Sequence, residues 1–68
     1  MYNMNMIRDI QLVKESAVIE NEGIVTCFHY GTKIIEIELA TKKILSEYKP
    51  SRTSSKMVNR VKHYYGLI

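Results

Sequence analysis

Tryptophan is absent from this 68-residue chain, and cysteine, proline and phenylalanine occur once each. A lone cysteine excludes an internal disulfide framework and suits a reducing cytosol. The three glycines, Gly23, Gly31 and Gly66, are isolated from one another, which leaves no glycine-rich phosphate loop. Long apolar runs are missing as well: the longest unbroken aliphatic stretch is Ala17-Val18-Ile19. A membrane span needs roughly 20 apolar residues and a signal-peptide core roughly 7–15, so neither is expected. A chain this short buries only about 60% of its unfolded surface, which argues for one domain over residues 1–68, with residues 1–5 frayed, and against a large cofactor cleft.

Acid is the most unevenly distributed absence. Residues 49–68 hold Lys49, Arg52, Lys56, Arg60 and Lys62 and no Asp or Glu, whereas residues 1–48 hold all seven acids against five bases. The overall charge of +3 therefore conceals an acidic body and a strongly basic end. Such an end is a candidate footprint for phosphate or for an acidic protein surface, set against the plainer reading of a solvated helix face.

What is present divides at Pro50. Before it the apolar period is near two, and after it near 3.6. Ile24-Val25-Thr26-Cys27-Phe28-His29-Tyr30 and Lys33-Ile34-Ile35-Glu36-Ile37-Glu38-Leu39 read as a hairpin about Gly31-Thr32, with Gly31 taking the positive φ of a type II′ turn. That turn pairs Phe28 with Ile35, Thr26 with Ile37 and Ile24 with Leu39. It places Ile24, Phe28, Tyr30, Ile35, Ile37 and Leu39 on one face, and Val25, Cys27, His29, Ile34, Glu36 and Glu38 on the other. A strand over residues 44–48 extends the meander, and Ala17-Val18-Ile19-Glu20 precedes the hairpin as another. Residues 6–14 fit either a short helix through Ile7, Ile10 and Val13 or a strand.

On a helical wheel of residues 52–68, Met57, Val58, Val61, Tyr64, Tyr65 and Ile68 fall within an arc of about 120°. Arg52, Lys56, Asn59, Arg60 and His63 occupy the opposite arc of about 100°. Ser51, Thr53 and Ser54 are N-cap residue types, and Gly66 followed by Leu67 matches a glycine C-cap. The expected fold is α+β: an antiparallel meander of three to four strands whose Ile/Phe face is covered by a C-terminal amphipathic helix.

Tyr30-Gly31-Thr32-Lys33-Ile34 and the helix start Ser51-Arg52-Thr53-Ser54-Ser55-Lys56-Met57-Val58-Asn59-Arg60 resemble a recurring pattern of small bacteriophage proteins. That pattern is a Ser-Tyr-x-Thr-x-Ile strand turn followed by Tyr-Ser-x-Thr-Thr-x-Lys-His at a helix start. Here His29 stands for the Ser, Ser54 for the second Thr and Met57 for the His, and the likeness covers residues 24–62. The resemblance implies a phage or prophage accessory protein and carries over no established activity. Small phage proteins as a class often act by binding, modulating host polymerases or blocking defence nucleases, which sets the expectation of a binding protein in the bacterial cytoplasm.

Chemistry-bearing residues are few. Cys27, His29 and Glu36 share a face in the predicted register, as a thiol nucleophile and its base would, but strand geometry alone groups alternate residues. Cys27, His29 and His63 lack metal-ligand spacing, so no metal and no cofactor are expected. The serines of 51–55 offer free N–H groups to an anion, or simply cap the helix. The basic stripe of Arg52, Lys56, Asn59, Arg60 and His63 is the main binding candidate, for a host protein first and for nucleic acid second. Tyr64 and Tyr65 could stack on bases or anchor an interface, but their wheel positions favour the core, with their hydroxyls near its edge. Exposed sheet edges and a small core also make a homodimer an expected state.

Overall fold

The computed structural model describes residues 4–68, and builds one antiparallel sheet with one helix on it. The strands are β1 (Met4–Met6), β2 (Ser16–Asn21), β3 (Ile24–His29), β4 (Thr32–Glu38) and β5 (Lys43–Glu47), followed by α1 (Arg52–Tyr64). Their order in the sheet is their order in the chain, so the α+β meander is as expected. It has five strands, one more than the expected three to four. Met4 and Asn5 belong to that additional strand, which pairs with β2, while residues 1–3 of the expected frayed start lie outside the described residues.

Both tight hairpins use two residues of positive φ. Glu22 and Gly23 (φ 52° and 82°) join β2 to β3, and Tyr30 and Gly31 (φ 53° and 75°) join β3 to β4. Positive φ at both positions is the type I′ pattern, which matches strand twist. The predicted Gly31-Thr32 turn is therefore displaced by one residue, and His29 pairs with Thr32. The register then shifts again between Cys27 and Phe28, whose β4 partners are Ile35 and Lys33. Ile34 is the unpaired extra residue of this bulge, and it is buried together with Ile35.

These two shifts reverse β3. Cys27 and Val25, opposite Ile35 and Ile37, are fully buried beneath the helix, while Ile24, Thr26 and Phe28 line the other face of the sheet. The sequence reading favours the opposite assignment, because the Gly31-Thr32 turn it assumes sets Ile24 and Phe28 opposite Leu39 and Ile35. The core comprises Ile10, Val18, Val25, Cys27, Ile34, Ile35, Ile37, Met57, Val58 and Val61, with Ile44, Tyr65 and Leu67 among the half-buried residues packed on it. A second bulge, at Leu45, breaks the outer edge strand, a common protection against edge pairing.

The helix obeys its local signals. Ser51 is the N-cap, its hydroxyl accepting the Ser54 N–H at 3.2 Å. At the other end Gly66 (φ 73°) donates to the His63 carbonyl and Leu67 to the Lys62 carbonyl, a Schellman closure. Lys42 adds its ammonium to the Tyr65 carbonyl at 2.9 Å. Met57, Val58 and Val61 point into the core as the wheel requires, but Tyr64 and Ile68 are exposed. Ile68 lies beyond the helix end, so the wheel does not apply to it. Residues 7–13 form neither helix nor strand, and the segment drops Ile10 into the core.

Candidate functional site

The outward face of α1 carries Arg52, Lys56, Asn59 and His63 exposed and Arg60 half-buried. Helical spacing aligns Arg52, Lys56 and Arg60 at i, i+4 and i+8, with Asn59 and His63 beside them. Lys56, Asn59, Arg60 and His63 line a single cleft of about 540 Å³ with Asp9, Ile10, Gln11 and Tyr64. Arg52 is not part of its wall and sits one turn nearer the helix start.

The opposite wall is the irregular segment 7–13, and its position follows from three ties. The Ile7 N–H donates to the Val18 carbonyl at 2.8 Å, Ile10 is only 5% exposed, and the Ser16 hydroxyl donates to the Val13 carbonyl at 2.6 Å. Two bonds then cross the cleft. Arg60 Nη1 donates to the Gln11 carbonyl at 3.0 Å, and Tyr64 Oη lies 3.4 Å from Asp9 Oδ2. Tyr64 also meets Tyr65 edge-on, with ring centroids 4.9 Å apart. Burial foremost, then the neighbouring Tyr64 and Glu20, push the Tyr65 phenol above its ordinary value and keep it neutral.

The basic end is less cationic than its sequence. Glu47 takes Lys62 at 2.8 Å and Lys49 at 3.2 Å. The Lys62 hydrogen bond is the main reason the Glu47 carboxyl lies below its ordinary range. Arg60 is tied to the Gln11 carbonyl. The side chains of Arg52, Lys56, Asn59 and His63 have no hydrogen-bond or ion-pair partner among the described residues. Those four form the available part of the stripe.

A second cleft, at the helix start, is lined by Lys14, His29, Tyr30, Thr32, Tyr48, Pro50, Ser51, Thr53 and Ser54. Three of its polar side chains, His29, Ser51 and Ser54, are committed to one another. His29 Nδ1 lies 2.9 Å from the buried Ser54 Oγ, which is 3.1 Å from Ser51 Oγ. The serine cluster thus closes the helix start and fastens it to β3.

The thiol constellation does not assemble. Cys27 is buried opposite Ile35, Glu36 pairs with Thr26 on the other face, and His29 turns to Ser54. Burial pushes the Cys27 thiol up to about 12, far from a reactive thiolate at neutral pH. Among the described residues no group of three or more His, Cys, Asp or Glu could hold a metal ion, and no helix is long and apolar enough to cross a membrane.

Sequence reasoning missed Asp9, Ile10 and Gln11 as parts of the site, and weighed Tyr64 as an interface anchor but favoured it as core. Tyr64 lay at the rim of the apolar arc, which was the one local signal available. Comparison with protein-family models, with curated proteins and with solved structures gives no match to this chain.

Proposed function

We propose that this chain is a small non-enzymatic binding protein of the phage accessory type, which docks the outer face of its helix on an acidic surface of a host protein and thereby inhibits or modulates it. The observation that carries this reading is the unspent polar set of Arg52, Lys56, Asn59 and His63, standing beside a preformed cleft while the other cations of the basic end are occupied. Exposed complementary charge accelerates encounter, and a rigid cleft beside it supplies the contact. A bacterial cytoplasm is the setting that fits the lone buried thiol and the phage-like motifs.

Nucleic acid is the competing occupant. Phosphate contacts give a salt dependence that grows with each cation engaged. The decisive experiment measures binding of random duplex and single-stranded DNA and RNA at low salt, for the wild type and for a variant carrying Arg52→Glu, Lys56→Glu and Arg60→Glu. It is paired with recovery of lysate proteins on both forms and titration of any retained protein after purification. The expected result is a purified protein partner lost to the triple variant, with nucleic acid bound weakly. Tight nucleic-acid binding, salt-steep and abolished by the triple variant, would replace the host-protein reading.

A further inference from the structure

The cleft's own chemistry narrows the class of partner. Its two walls differ: Lys56, Asn59 and His63 stand on the helix side, and Asp9 and the Gln11 carbonyl on the other. A phosphate backbone entering here would meet the Asp9 carboxylate at 3.4 Å from the Tyr64 hydroxyl, so the cationic wall is matched by a repelling one. Ile10 lines the cleft while belonging to the core, and its 5% exposure gives the floor a small apolar patch. Tyr64, 46% exposed, is held by Tyr65 edge-on and by Asp9, so it presents aromatic surface without much rotamer freedom to lose. A rigid, half-exposed tyrosine over an apolar floor is the usual composition of a protein-binding anchor point.

Resting on the function proposed above, we infer that the cleft takes a protein segment in which carboxylates flank an apolar side chain. The apolar group lies between Ile10 and Tyr64. The carboxylates face Lys56 and His63 on the helix side, and Asn59, able both to donate and to accept, pairs with the backbone of the segment. Asp9 selects against phosphate and against a second carboxylate on its own side. Arg60 acts as a positioning residue, since its bond to Gln11 holds the two walls at their spacing.

The test is amide-resolved NMR titration of the full chain with three probes: a peptide alternating Glu and Leu, a peptide alternating Glu and Ser, and single-stranded oligo-dT. The Glu/Leu peptide should move the amides of Asp9, Ile10, Gln11, Asn59, His63 and Tyr64, and bind at least tenfold more tightly than the Glu/Ser peptide. Lys56→Glu and Tyr64→Ser should each weaken it tenfold or more while leaving the remaining amide spectrum in place. Equal binding of the two peptides would overturn the apolar anchor. Oligo-dT moving the same amides more strongly, with sensitivity to Lys56→Glu, would overturn the protein segment but keep the basic face as a binding surface. No response at these amides to any probe would overturn both.

Discussion

The two clefts that flank the helix are built from similar residues and put to different uses. At the helix start, Ser51, Ser54 and His29 satisfy one another, and these three are spent on holding α1 to β3. Beside the outer face, Lys56, Asn59 and His63 are left open, while Ile10 is packed into the core and Tyr64 rests on Tyr65 and Asp9. A serine–histidine pair looks like chemistry in a sequence, yet here it is a fastening. The residues available to a partner are those for which the fold found no internal use.

Substitutions can break that contrast, in order of expected size. The common support of both clefts is the buried helix face, so Val61→Asp, which places an unpaired charge in the core, should cost more than about 4 kcal/mol. Loss of the helical circular dichroism signal at room temperature checks it. In the fastening cleft, Ser54→Ala removes the partner of both Ser51 and His29. It should lower chemical-denaturation stability by roughly 1–2 kcal/mol without changing partner binding.

Tyr30 stands at the rim of that same cleft in the left-handed region, 66% exposed and at a turn position suited to Asn or Gly. Tyr30→Asn should therefore raise the thermal midpoint, by about 0.5–1 kcal/mol of stability. An unchanged midpoint would mean that the tilted contact between the Tyr30 and His29 rings, 4.8 Å apart, offsets the backbone strain. On the open cleft the effects invert. Lys56→Glu should alter stability by less than about 0.5 kcal/mol, because its head group has no partner to lose, while partner affinity falls at least tenfold. Denaturation and binding isotherms on one sample decide it.

The smallest effect concerns the acid side. The folded Glu47 carboxyl titrates below its unfolded value, so its contribution is complete above the ordinary carboxylate range and is lost as pH falls through the lowered value. Glu47→Gln should flatten the acid limb of a stability-versus-pH curve and leave Lys62 and Lys49 as additional free cations. Tighter binding of an acidic partner by that variant would sharpen the rule that unspent charge marks the interface.

Legibility tracked the range of the forces involved. The helix was readable as an element with its buried face, though its first residue was open among Ser51, Thr53 and Ser54 and the wheel ran to Ile68, past the end at Tyr64. Capping by Ser51, the Gly66 closure and burial of Met57, Val58 and Val61 all act within a turn or two of chain. The hairpin was readable as a hairpin but not in register. A displaced turn and the bulge at Ile34 each shift pairing, and together they exchanged Ile24 and Phe28 for Val25 and Cys27 in the core. The period-three spacing of Ile7, Ile10 and Val13 resembled a helix. In fact these residues meet the core from an irregular segment, where spacing carries no helical meaning.

The amino-acid sequence by itself determined the α+β class, the meander order and the two-sided helix, because periodicity and capping are local and need no distant partner. Tertiary structure alone decided which face of β3 is buried, which cations Glu47 neutralises, and that segment 7–13 comes to stand opposite Lys56 and His63. Those outcomes depend on residues far apart in the chain meeting at hydrogen-bond distance. No local pattern encodes such meetings, and only the packed core sets them.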